Sequence, residues 1–395
     1  MRRLRPRSIT LWRGAIGALI GTAGLAARAS AQASLSLQGF GFPAGQMSTR
    51  TLGAGGSLAE IDPLTPVNPA SVALLLTRMI YFQAEPEFRT VHSANGTDNT
   101  TTPRYPNVFG AVPVAGGLVL SLGSSSLLDR TGTTTFASPQ VLSGTDTVLM
   151  TTKLAIQGAM NDVRFAAGWS PATWFRFGLG LHAITGHNLV TLTQTFDDTV
   201  AFALSQQQRI LSFSGTAASV GVQFLAKDVT FAASARQGGT LTMSAGDTTL
   251  THSRVPNRFG ASVTYTGIAN SFISVRTAHD NWSVLGSLGN PGLQGVDGWD
   301  TSVGADIAGP KLGSRPLFLR AGFRDRTLPF TANASTVTEK SGSIGLGTLF
   351  ANGRVLSDLA LIRASRSADV NASAAPVSPA AAACSANDGY MISIA

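Results

Sequence analysis

Cysteine is nearly absent from this chain: Cys384 is the only one in 395 residues. A disulfide framework is therefore excluded, and the fold must be held together by other means. Charge is scarce as well, at 13% Asp, Glu, Lys and Arg, against roughly a quarter in ordinary soluble domains. Hydrophobic residues make up 44%, yet no run approaches the roughly 20 residues that a membrane-spanning helix requires. No helical period persists over an ordinary helix length, apart from a short apolar run after Pro69. These absences exclude a disulfide-stapled secreted domain and a helical membrane protein, and they argue against a typical soluble enzyme.

The chain opens on Arg2, Arg3, Arg5, Arg7 and Arg13, then an apolar stretch Gly14–Ala27, then Ala29-Ser30-Ala31. A basic head, a short apolar middle and a small-residue cleavage pattern predict a secretory signal over residues 1–31, with the mature chain starting at Gln32. The apolar stretch is too short for the alternative, a single anchor helix. No Cys near the cleavage pattern offers a lipid attachment point. Six basic residues and no acidic one lie in this leader, which leaves 23 basic against 21 acidic residues, or +2. The high overall positive charge belongs largely to export, and nucleic acid is not expected as a partner.

Beyond the leader the recurring feature is alternation with a period of two. Phe175, Phe177, Leu179 and Leu181 share one face; Trp174, Arg176, Gly178, Gly180 and His182 share the other. Leu317–Arg324, Val229–Arg236 and Phe272–Thr277 repeat the pattern. A strand with an Arg/Gly/His face opposite an apolar face suits a transmembrane barrel, with lipid outside and a wet lumen inside. Further candidate strands bring the total to about 14 or 15, where an even number is the rule. Among these, 148–158 and 161–170 are read as separate strands joined by a turn at Asn161-Asp162. Other tight turns are expected at Lys227-Asp228, Asn270-Ser271 and Asn352-Gly353, opposite long polar loops at 89–106, 124–146, 198–211, 237–257 and 325–338. Ser365–Asn387 reads as an outer loop, and Asn387–Ile394 as a closing strand that lacks the usual terminal aromatic. The expected fold is all-β: a transmembrane antiparallel barrel over residues 77–395.

Residues 32–76 do not alternate. They read Gly53-Ala54-Gly55-Gly56-Ser57-Leu58-Ala59, then Asp62, then Val67-Asn68-Pro69-Ala70-Ser71. Small residues let backbones approach closely, Pro69 pre-sets φ, and Asn68 suits a turn. An ordinary turn before the first strand is the simpler reading of Asn-Pro-Ala alone. The order, spacing and position resemble the N-terminal plug of the FadL-type outer-membrane transporters of long-chain fatty acids and other hydrophobic compounds, over about 40 residues. The resemblance implies a plug of residues 32–76, with Gly53, Gly55, Asp62, Asn68, Pro69 and Ala70 as its motif, inside a 14-stranded barrel. It also implies passive uptake of a hydrophobic substrate, released by plug movement or through a lateral opening.

Phe40, Phe42, Met47 and Leu52 are candidate apolar contacts for substrate, or structural packing. Arg176, Arg276, Arg320 and Arg324 are candidate lumen cations for a carboxylate head group, or partners of Asp and Glu. The remaining partners expected are outer-membrane lipid and lipopolysaccharide, with the chain monomeric. A second reading comes from relatives of this barrel type, which resemble the anchoring and shuttle barrels of protein secretion systems.

Catalysis and metal binding are not expected. No phosphate-binding loop or nucleophile elbow appears. His182 and His187 lack metal-ligand spacing and a neighbouring carboxylate in sequence. His279, Asp280 and Ser283 form the only local group of catalytic residue types. No cofactor is implied.

Overall fold

The computed structural model describes residues 40–394, apart from 45, 94–95, 142–146, 198–202, 289–294, 312, 314, 333–334 and 369–385. The expected leader, Cys384 and most of the Ser365–Asn387 stretch lie outside the described residues.

Eighteen antiparallel ladder segments form one sheet. The first are β1 (Met79–Phe82), β2 (Glu87–Ser93), β3 (Gly96–Thr102), β4 (Asn107–Ala115), β5 (Leu118–Asp129) and β6 (Gly132–Val141). Next come β7 (Thr147–Ala172), β8 (Phe175–Phe196), β9 (Ser205–Ala226), β10 (Val229–Ala245), β11 (Thr248–Arg254) and β12 (Arg258–Tyr265). The last are β13 (Phe272–Asp280), β14 (Gly298–Ala308), β15 (Leu317–Ala332), β16 (Ser335–Phe350), β17 (Val355–Ala368) and β18 (Ala386–Ile394). Four wall strands are each two consecutive segments: β1 with β2, β3 with β4, β5 with β6, and β11 with β12. Among the described residues the wall therefore has fourteen strands. Each pairs with the next, and β18 pairs back onto β2 through Met391↔Glu87 to Ala386↔His92. The ladder is cyclic, which leaves few unpaired sheet edges among the described residues and needs no disulfide.

The side chains alternate as a lipid-facing wall requires. Leu179, Leu181, Phe231, Val275, Leu319 and Phe323 are exposed on the outside, while Ser234, Arg236, Ser274, Arg276 and Arg320 are buried inside. Trp174 corrects the sequence reading. It lies in the two-residue turn before β8, is exposed, and meets Phe224 edge-on at 5.4 Å. It is an exposed turn residue packed with Phe175 and Phe224, not part of the lumen face.

The turn expected at Asn161-Asp162 is also corrected. Both residues lie inside β7, which runs unbroken for 26 residues. Strong ladder pairing on both sides overrides the local turn preference of Asn and Asp. The polar stretches expected to be loops are largely hairpin extensions of the same strands, since Thr-rich sequence serves a two-sided wet strand well. At about 3.4 Å per residue β7 is some 85 Å long, more than twice what crossing a bilayer needs.

Residues Phe40 to Leu75 lie within the ring, almost wholly buried. They contain one short helix, α1 (Thr49–Gly53), and a 3-10 helix, η1 (Pro69–Leu74). Ser48 caps α1 by accepting from the Thr51 amide, and Asn68 caps η1 by accepting from the Ala70 amide at 2.9 Å. Pro69 sits at the first position of η1, where its missing N–H costs nothing.

Candidate functional site

The inner segment is held by one carboxylate and two rows of glycine. Asp62 accepts from Ser48 Oγ, from Thr51 Oγ1 at 2.9 Å and from Thr65 Oγ1 at 3.1 Å, and its other oxygen lies 3.5 Å from Arg50. Arg50 continues to Asp306 on the wall at 2.8 Å. Burial opposes the charge of Arg50, and Asp62 and Asp306 more than reverse that, raising its pKa above the ordinary value. The acidic residue picked out in the sequence is thus the knot of the segment and its tie to β14.

Asn68 and Pro69 rest on a flat part of the wall. Gly168, Gly178 and Gly221 stand in register across β7, β8 and β9. A Cβ added to Gly178 would lie 2.3 Å from the Pro69 carbonyl carbon, and one added to Gly221 would lie 1.9 Å from Asn68 Oδ1. Only glycine lets the two backbones approach this closely. The Asn68 amide donates to the Glu60 carbonyl at 2.9 Å and to the wall carbonyl of Ala233 at 3.3 Å.

The other end docks on a second row, where Gly304 of β14 faces Gly322 of β15. Ala54 lies over this pair, and Gly55, at φ +67°, turns so close that a Cβ there would sit 2.6 Å from the Phe323 amide. Gly53 packs on Gly345 of β16. The segment therefore spans the lumen from β14–β16 to β7–β9. The sequence placed Gly53, Gly55, Asp62, Asn68, Pro69 and Ala70 in one non-alternating segment but did not show its seat; isolated inward-facing glycines in otherwise polar inward positions were the available signal.

The candidate ligand residues divide. Phe40 joins an inward apolar cluster with Leu127, Leu128, Met160, Phe213 and Trp282. Phe42 instead packs with Ala44, Leu328, Phe330 and Val337. Its ring is faced by three guanidinium groups, Arg104 at 5.1 Å and Arg326 and Arg366 at 5.0 Å. Its backbone exchanges two 2.8 Å hydrogen bonds with Asp129. Met47 and Leu52 pack with Ala59, Ala360 and Ile362.

Arg276, Arg320 and Arg324 face the lumen, each committed to carboxylates. Arg276 lies 3.0 Å from Asp300 and 3.4 Å from Glu60; Arg320 lies 2.6 Å from Asp358; Arg324 lies 2.7 Å from Asp300. Breaking such a buried pair from one side costs about 3–5 kcal/mol, so these arginines first serve to hold the wall and the inner segment together. Arg176 lies apart, half-buried near the short turn, 3.5 Å from Gln223. Beside the inner segment a cavity of about 100 Å³ is bounded by Phe42, Met47, Leu127 and Trp282 on one part and by ion pairs such as Arg324–Asp300 on another.

The histidine reading needs a correction. His182 does have a carboxylate beside it: Nδ1 lies 2.8 Å from Asp162, and Nε2 lies 2.8 Å from Ser219 Oγ. Three neighbouring strands bring the residues together, and placing Asp162 in a turn concealed this. His279, by contrast, meets the Trp299 ring at a tilt with centroids 4.9 Å apart, and Asp280 pairs with Arg258 at 3.2 Å. Ser283 donates to Asn281, so the local trio does not converge. Among the described residues no group of His, Cys, Asp and Glu is arranged to hold a metal.

A cyclic fourteen-stranded antiparallel ladder with lipid-type side chains outside and a buried segment across its lumen defines an outer-membrane type of β-barrel. Solved structures share this fold. The chain is similar to the CymD monoaromatic hydrocarbon channel, with 14% identity, a TM-score of 0.53, and coverage of 91% of this chain and 97% of that one. It is likewise similar to the Pseudomonas putida toluene transporter TodX, with 11% identity, a TM-score of 0.52, and coverage of 91% and 98%. No protein-family model matches the chain, and no curated protein matches it in sequence.

Proposed function

We propose that this protein is a passive outer-membrane channel for small hydrophobic molecules, closed at rest by residues 40–75 acting as its plug. The observation that carries the reading is the inward apolar cluster of Phe40, Leu127, Leu128, Met160, Phe213 and Trp282. A water-filled general porin has a polar interior. Here a buried apolar cluster borders the cavity, since Leu127 and Trp282 belong to both. The cavity is small, about 100 Å³, with apolar side chains on one part of its lining and ion-paired arginines and carboxylates on the other. Small hydrophobic compounds therefore fit the resting site better than long-chain fatty acids, which need further opening.

The wall offers a place for exit. Beyond Ser126, no ladder joins β6 to β3 among the described residues, and Asp129 pairs instead with Phe42 of the plug. Withdrawal of Phe42 would leave this part of the wall unpaired, consistent with a lateral route into the membrane. Deleting Gln46–Ala70 is expected to leave an assembled barrel with raised single-channel conductance in planar bilayers; unchanged conductance in a folded deletion variant would remove the plug assignment.

The lengths of β7, β8 and β9 favour a second reading, in which the projecting hairpins anchor a surface or secreted protein. Native mass spectrometry of the barrel purified from membranes separates the two. A bound hydrophobic small molecule supports the channel, and a stoichiometric protein partner with no such molecule supports the anchor.

A further inference from the structure

Two strand edges face a cleft at the short-turn end of the wall. β1 pairs with β4 through Met79↔Ala111 to Phe82↔Val108, and among the described residues it has no ladder on its other side. β17 pairs with β16 from Val355 onward, but its ladder with β18 covers only Leu359↔Ile394 to Arg366↔Asn387. Residues 355–358 therefore have one free edge among the described residues. A cleft of about 930 Å³ is lined by both β1 and this part of β17. Its outer walls are Ile80 and Phe82 from β1, Val112 from β4 and Val355 from β17, all exposed on the lipid-facing side.

Arg78 and Arg354 line the same cleft, each standing immediately before the first residue of its strand. Both are exposed, and neither guanidinium makes a hydrogen bond or ion pair among the described residues. The described turns at this end also carry Lys227, Lys311 and Arg315, all exposed, against one carboxylate, Asp228. Arginine at a membrane boundary commonly rests among headgroups without selecting a lipid. Here two unpaired guanidinium groups border one cleft whose walls continue as apolar side chains. Their planar forks match a phosphate. Free strand edges within a membrane are costly, because backbone N–H groups there have no water to bond. A phospholipid meets all three demands: phosphate for the arginines, ester oxygens for backbone N–H groups, and an acyl chain for the apolar walls.

We propose that this cleft binds one phospholipid with an anionic headgroup, drawn from the periplasmic leaflet. Its phosphate lies between Arg78 and Arg354, and an acyl chain fills the cleft against Ile80, Phe82, Val112 and Val355. The bound lipid seals the wall between β1 and β17. The inference rests on the barrel crossing a membrane with its short turns on the periplasmic side, and not on the channel reading.

The test uses the protein purified from membranes in a neutral detergent, with heat-modifiable migration as the check on folding. It is titrated with dioleoyl phosphatidylglycerol or dioleoyl phosphatidylethanolamine and followed by native mass spectrometry. One equivalent of phosphatidylglycerol is expected to bind, at lower concentration than the zwitterionic lipid. A cation beside an anionic lipid contributes about 1 kcal/mol. Arg78→Gln or Arg354→Gln should therefore weaken phosphatidylglycerol binding roughly fivefold, and the double variant roughly 30-fold. Val112→Trp keeps both arginines but puts a ring in the cleft, and should weaken binding of both lipids. Lys227→Gln, in another turn at the same end and outside the cleft, should bind as the parent does. Equal affinity for the two lipids, no loss in the folded double variant, an equal loss in Lys227→Gln, or unchanged binding by folded Val112→Trp overturns the proposal.

Discussion

Substituting Gly178 with Leu is expected to expel the Asn68–Pro69–Ala70 end of the proposed plug and to raise the leak of small solutes through the barrel. The clash is with backbone, not with the end of a flexible side chain: the new Cβ alone would sit 2.3 Å from the Pro69 carbonyl carbon and 2.4 Å from the Ala70 amide nitrogen. Overpacking that neighbours can absorb costs about 1–3 kcal/mol. Here Gly168 and Gly221 flank the position in register, and the plug is pressed on all three. Undocking the plug end is easier than deforming a ladder hydrogen-bonded on both sides. The expected readout is conductance close to that of the Gln46–Ala70 deletion, with heat-modifiable folding retained. Gly342, which has nothing within 4 Å of an added Cβ, supplies the control: Gly342→Ala should conduct as the parent does. A Gly178→Leu barrel as tight as the parent would mean that the glycine row does not seat the plug.

The second large effect is expected at Asp62. Asp62→Ala removes the shared acceptor of the Ser48, Thr51 and Thr65 hydroxyls and one of the two carboxylates of Arg50. Loss of a buried acceptor of this kind costs about 3–5 kcal/mol, while the wall ladders do not involve Asp62. Hydrogen exchange should therefore rise across residues 46–66 and remain unchanged in β7 to β9. Asp62→Asn keeps one acceptor oxygen and the shape, and should fall between. Equal protection of residues 46–66 in parent and Asp62→Ala would show that the hydroxyl cluster does not hold the plug.

Much of this was legible in the residues. The alternation of Phe175 to His182, and of Leu317 to Arg324, states a strand with one apolar and one polar face, because side chains in a strand point to opposite sides. The small-residue run at Gly53, Asp62 and Asn68-Pro69-Ala70 stated a compact non-strand segment. Other features were not legible, for reasons of distance along the chain. Gly168, Gly178 and Gly221 are unrelated in sequence and form a row only through the register of β7, β8 and β9. The guanidinium groups around Phe42 come from residues 104, 326 and 366. Nor did the sequence identify which lumen arginines meet carboxylates, since Arg276, Arg320 and Arg324 find theirs across strands.

The Asn68-Pro69-Ala70 segment shows where the boundary falls. Its local form follows from its own residues: Asn68 caps, Pro69 starts the 3-10 turn, and nothing else in the fold is needed to explain either. Its place, on a glycine seat at the far wall from Gly55, was decided by the closed ladder. The same closure put Asp162 beside His182 and Ser219. Local sequence sets backbone conformation and the face on which each side chain lies; strand register, which is a property of the whole ring, sets which side chains meet.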